Sequence, residues 1–244
     1  MNLNRLEKSM NNALRTRQRL FALALPLTAA LYIGAEGIDP KGTDQIVTTT
    51  VVALKVLPIA AKHHTQLYIS GSLTELALGA LIISYGAIAM LIRERGSMAA
   101  TVAVLLGGIG ALCGVVTNVL GGINLAAAAT ARVPHNAAAR LLVTNFNSGP
   151  GHAFTAVYAF SEFVAPIIMG VALWRSGRVP RWLAVLFALG FELAEQTASL
   201  GIAKVVLRMA PFALAMVLLS VRIWRAADQV GPAVDDREPT LVTA

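Results

Sequence analysis

Six apolar runs, each near the ~20 residues that carry an α-helix across a bilayer, limit what this chain can become. They extend from about Leu20 to Glu36, Leu67 to Ile92, Met98 to at least Leu120, Ala153 to Trp174, Trp182 to about Ser199, and Val205 to Ile223. A lipid interior leaves no partner for an unpaired peptide group, so runs of this length select helices. Composition agrees. Charged residues make up 14% of the 244, against about 25% in an average soluble domain. The expected fold is all-α, a polytopic membrane helix bundle of about six transmembrane helices. A soluble enzyme, a disordered chain and a secreted disulfide scaffold are excluded. The lone cysteine, Cys113, can form neither an internal disulfide nor a cysteine metal cluster.

Basic residues orient the spans. The N-terminus, the Arg93–Arg95 turn, the Arg175–Arg181 turn and the tail hold thirteen lysines and arginines, and the opposite loops hold seven. Positive charge collects on the cytoplasmic side, so both termini are expected there, in a multi-pass protein of the plasma membrane. Trp174, Trp182 and Trp224 fall at the same ends, at headgroup level. The net charge of +7 thus reflects orientation, and no nucleic-acid partner is expected. Residues 1–19 read as a basic amphipathic helix suited to an anionic leaflet, not as a cleavable leader. The bundle is expected over 20–225, with outer loops at 37–66 and 126–151. The tail, 226–244, is polar and proline-containing, and is expected to be disordered. Residues 44–61 contain Lys55 and Pro58 and read as an outer-face or re-entrant segment rather than a seventh span.

Four acids fall inside the predicted spans: Glu75, Glu162, Glu192 and Glu195. Such groups are costly in lipid and turn inward. Helical rise puts all four in the outer half or near the midplane. Ser72, Glu75 and Gly79 share one stripe, as do Gly114, Thr117, Asn118 and Gly121, and Glu192, Glu195, Gln196 and Ser199. Each reads as the small or polar side of an apolar helix, facing the bundle interior. Pro166 cannot donate to the carbonyl of Glu162, so the fourth span should bend beside its acid. Asn118, Tyr158, Phe163, Phe191 and Gln196 are the expected substrate-binding residues, with Tyr68, Phe154 and Phe160 as further lining. Small residues and protonated acids also serve as plain packing, and Gly110-x-x-x-Gly114 is common in that role.

Other motifs are missing. His63, His64, His135 and His152 show no HExxH or HxxxH spacing, so no metal is expected. Gly107-Gly108-x-Gly110 has no strand before it and is not a dinucleotide loop; no cofactor is expected. Lys204 and Arg208 read as residues reaching toward the interface.

The stretch WRSGRVPRWLAVL, Trp174 to Leu186, resembles the cytoplasmic turn of an uncharacterised family of six-pass bacterial membrane proteins, a domain of unknown function. Gly34-Ala35-Glu36, Glu75 and Asn118 with Asn124 are similar too, and the likeness covers most of 18–226. It implies the fold and brings no established chemistry. The turn also has a structural reading, with Gly177 ending one helix and Pro180 opening the next. In size and in its buried acids the chain further resembles small integral-membrane terpene cyclases. Two functions are therefore expected as alternatives. One is a membrane enzyme in which Glu75, Glu162, Glu192 or Glu195 acts as general acid or base on an apolar isoprenoid or lipid substrate, by cyclisation or isomerisation. The other is a small proton-coupled carrier or binding protein for a cationic or amphipathic solute, working as a homodimer. A blander third is an assembly subunit.

Overall fold

A computed structural model describes residues 3–40, 48–92, 95–195 and 202–228. Their regular structure is entirely helical: α1 (Leu3–Ile38), α2 (Thr50–Lys62), α3 (His64–Ala89), α4 (Ser97–Asn118), a single π-helical turn (Val119–Ile123), α5 (Asn124–Thr130), α6 (His135–Phe146), α7 (Gly149–Ser176), α8 (Arg181–Glu195) and α9 (Ile202–Asp228). Five stretches are long and apolar enough to cross a membrane: Asn12–Ile38, His64–Ala89, Ser97–Thr130, Gly149–Ser176 and Val205–Asp228. The chain is a multi-pass integral membrane protein.

Six helices close a ring. α1 packs on α3, α3 on α4, α4 on α7, α7 on α8, α8 on α9, and α9 returns to α1. The sixth expected span is represented by α8, whose described 15 residues cover about 22 Å; residues 196–201 lie outside the described residues. Lipid offers no hydrophobic drive between helices, so close backbone approach must hold them. Glycines permit it at the α3–α4, α4–α7, α7–α8 and α8–α9 contacts. A Cβ on Gly107 would sit 2.8 Å from the Tyr85 ring, and one on Gly110 would sit 2.4 Å from the Cβ of Ser161. Gly170 meets Ala188 of α8, and Gly190 meets the backbone of α9 at Pro211 and Phe212. One buried polar contact joins α1 to α3, where the Thr28 and Ser84 hydroxyls lie 3.0 Å apart. Each also donates to its own helix, to the carbonyls of Ala24 and Ala80.

Aromatic rings occupy the middle of the ring of helices. Tyr85 of α3 meets Phe187 of α8 edge-on at 6.4 Å, and Phe212 of α9 meets Phe191 at 5.2 Å and Tyr32 at 6.3 Å. Edge-to-face pairs of this kind add to the area they bury.

The two ends differ. At the basic end lie Arg15 to Arg19, Arg95, Arg175 to Arg181, and Arg222 with Arg225; there Arg19 pairs with Asp228 and stacks over Trp224. At the other, the segments expected as loops 37–66 and 126–151 are largely helical. α2, α5 and α6 pack together around Ala53, Leu57, Ala60, Leu125, Ala126 and Leu142, a second apolar cluster that caps the bundle. Thr49 caps α2 through its hydroxyl, which accepts from the amide of Val52. With 13 residues, α2 reaches about 20 Å, short of a span.

The basic N-terminal segment and the first span form one uninterrupted helix, α1, of 36 residues and about 54 Å. No break falls between 19 and 20, because Leu20 to Ala24 continue the same helical pattern. The turn after α7 follows the expectation: Gly177 is left-handed at φ 65° and Pro180 immediately precedes α8. Residues 229–244 lie outside the described residues.

Candidate functional site

Gly114 is where three helices meet. A Cβ there would lie 2.7 Å from the Tyr158 ring of α7 and 3.1 Å from the Leu78 side chain of α3. Without one, Tyr158 lies against α4. Its hydroxyl reaches one turn along α7 and donates to Glu162 Oε1 at 2.5 Å, the i, i+4 geometry of a helix face. Both residues line a small cavity between α3, α4, α7 and α8, together with Leu78, Tyr85, Ser161 and Phe191. Its free volume is about 10 Å³, room for about one water molecule. A carboxyl, a phenol and a hydroxyl around a water-sized space can exchange protons with a bound water. The space does not hold an isoprenoid.

The other expected acids stand differently. Glu75 and Glu192 are half-buried, and neither lines the cavity. Each nonetheless has one carboxyl oxygen, Oε1, shielded from solvent and without a hydrogen-bond partner among the described residues. The Glu195 side chain, Gln196 and Ser199 lie outside the described residues. Of the described acids, Glu162 lines this cavity.

The stripe of Ser72, Glu75 and Gly79 does not face inward. Ser72 and Gly79 are exposed, and a Cβ on Gly79 would meet nothing within 4 Å. Gly71, Leu78 and Tyr85, seven residues apart, make the contacts with α4 instead, leaving Glu75 on the flank between that seam and the outer surface. The physical reason is that small residues are tolerated against lipid as readily as against a helix. The stripe on α4 fares better: Gly114 is buried and Asn118 donates from Nδ2 to the carbonyl of Gly71 at 2.9 Å. That bond ties the end of α4 to α3 where the π-helical turn begins.

Among the expected binding residues, Tyr158 and Phe191 line the cavity. Phe163 does not: it is 58% exposed on the outward face of α7, beside Phe160 at 61%. Tyr68 and Phe154 are also exposed. An aromatic facing lipid is as comfortable as one facing the core, so apolarity alone cannot assign its direction. Two lining residues escaped sequence reading, Tyr85 and Ser161. The spacing of Gly107, Gly110 and Gly114 pointed to them, since each glycine leaves room for a facing side chain.

Three of the four histidines are held locally. His63 Nδ1 lies 2.7 Å from Gln66 Oε1, His64 Nδ1 3.1 Å from the Ala61 carbonyl, and His152 Nδ1 3.2 Å from the Phe146 carbonyl. Among the described residues no three His, Cys, Asp or Glu side chains are grouped to hold a metal ion. Comparison of the chain with protein-family models, with curated proteins and with solved structures returns no match.

Proposed function

We propose that this membrane protein is a small carrier that couples solute movement to protons, with Glu162 as its proton-binding group. The observation that supports this is the Tyr158–Glu162 pair bordering a water-sized cavity inside the bundle. An intramembrane acid in contact with water can load and release a proton, and ionisable groups at this depth mark such paths. Tyr158 donates to the ionised carboxylate and stabilises it; on protonation of Glu162 the bond weakens, so proton binding is coupled to the seam between α4 and α7. Glu75 and Glu192, each with an unpartnered oxygen, extend the set of acids toward both flanks. The resident membrane is the plasma membrane, with the basic end cytoplasmic, and the working unit is a homodimer.

The test is proton flux in proteoliposomes carrying an imposed pH gradient. The wild-type protein dissipates the gradient when a transported cationic solute is present. Glu162→Gln abolishes this, and Tyr158→Phe slows it. Equal flux in Glu162→Gln and wild type rejects the reading.

An acid–base enzyme acting on an isoprenoid or lipid is the second reading. A phenol beside a carboxyl is a competent proton donor, and Tyr85 and Phe191 supply rings at the same cavity. It requires the helices to part by far more than the present space. Turnover of isoprenoid substrates by the purified protein, lost in Glu162→Gln, would favour it over transport.

A further inference from the structure

At the basic end the chain draws four arginines to one corner. Gly96 is left-handed at φ 92°, and a Cβ there would lie 2.7 Å from the carbonyl oxygen of Ala172. Only glycine lets the start of α4 press this closely on the last turns of α7. Arg95 immediately precedes it, and Arg175 lies one turn beyond Ala172 on the same face. Gly177 and Pro180 then limit the α7–α8 connection to four residues, which keeps Arg178 and Arg181 at the same place. All four arginines are exposed, and among the described residues none has an acidic partner. The Arg181 guanidinium stacks over the Trp174 ring at 5.3 Å, and Trp182 beside it is 57% exposed.

We infer that this corner, formed by Arg95, Arg175, Arg178 and Arg181, is a binding site for the headgroup of an anionic phospholipid. Four arginines on adjoining turns make this a positive surface that attracts an anion. The exposed tryptophans put the corner at headgroup level, where the available anion is a lipid phosphodiester. The corner uses arginine alone, whose planar fork takes two phosphate oxygens at once where a lysine offers a point charge. A zwitterionic headgroup would bring its own cation into the cluster and lose the advantage.

The test is native mass spectrometry of the intact protein in detergent, with phosphatidylglycerol and phosphatidylcholine added in equal amounts. Phosphatidylglycerol is expected to be retained over phosphatidylcholine. Replacing both Arg175 and Arg178 by glutamine should lower its retention about thirtyfold, since each basic residue near the headgroups contributes about 1 kcal/mol. Arg222→Gln with Arg225→Gln removes the same charge from the end of α9 and should leave retention within about twofold of wild type. Arg175→Lys with Arg178→Lys keeps the charge but not the fork, and should retain the lipid less well than wild type and better than the glutamine pair. Equal retention of the two lipids, or equal loss in the two glutamine pairs, overturns the site. So does displacement of the lipid by inorganic phosphate, which would mean a soluble anion is the ligand. If the 175/178 pair does not fold, Arg95→Gln and the lipid preference of the wild type decide the question.

Discussion

Replacing Gly110 by alanine should force α4 and α7 apart. The new Cβ would lie 2.4 Å from the Cβ of Ser161, whereas carbon atoms rest at ~3.5–4.0 Å. The two helices must separate by about 1 Å or more along a contact that is among the most extensive in the bundle. Overpacking of this kind costs about 1–3 kcal/mol, and the better helix propensity of alanine returns at most about 1 kcal/mol. Against wild type the net loss is up to about 2 kcal/mol, a factor of as much as roughly 30 in the ratio of folded to unfolded protein, and against an alanine that meets nothing it is the full cost of about 1–3 kcal/mol. Equilibrium unfolding in mixed micelles, followed by circular dichroism as a denaturing detergent is titrated in, measures it. Gly108→Ala is the control: nothing lies within 4 Å of its Cβ, so it should show the propensity gain alone, a stabilisation of up to about 1 kcal/mol. Ser161→Gly removes the colliding carbon, so the double variant should recover at least half of the loss. A Gly110→Ala protein as stable as Gly108→Ala would refute the reasoning, because the seam would then have slack that the geometry denies.

Three further outcomes are expected. Thr28→Val removes the buried hydroxyl pair with Ser84 and should cost about 0.6 kcal/mol in the same titration, the average for hydrogen bonds between helices in lipid. Tyr158→Phe removes the phenol's hydrogen bond to Glu162 and should destabilise by about 0.5–1.5 kcal/mol; the loss should shrink in the Glu162→Gln background, a coupling that a double-mutant cycle reads directly. Asp228→Asn should cost less than about 1 kcal/mol, and the loss should vanish at high salt, since Arg19 and Asp228 are both well exposed and such pairs are screened.

The spans were legible because bilayer thickness imposes a length that apolar runs display openly. Helix ends at Gly177 and Pro180 were legible too, from backbone chemistry that does not depend on neighbours. What stayed hidden was direction. In a soluble protein an apolar residue points inward, but in lipid both sides of a helix are apolar. Phe163 and Phe191 therefore look alike as letters, yet one faces out and the other faces the cavity. Ser72 and Gly79 misled for the same reason. Glu162 was legible because a carboxyl group is costly anywhere in hydrocarbon, whereas Tyr158 was legible only as one of several aromatics, and its bond to Glu162 appears in the structure. Ser161 and Tyr85 needed the pairing of α4 with α7 and α3, which is decided by where glycines meet bulk on another helix. The helical cap was read as loops because α2, α5 and α6 are too short and too mixed in composition to announce themselves.

Closure of the ring by α1 against α9 has a consequence for how the protein is made. Every other adjacent pair is joined by a nearby stretch of chain, so those pairs can assemble as each helix leaves the ribosome. α1 must instead wait for α9. Until α9 is made, Tyr32 and the rest of that side of α1 lack the neighbour that covers them. A ribosome stalled after α8 would thus leave an open crescent, and this is the state in which quality-control proteases would find the protein easiest to recognise.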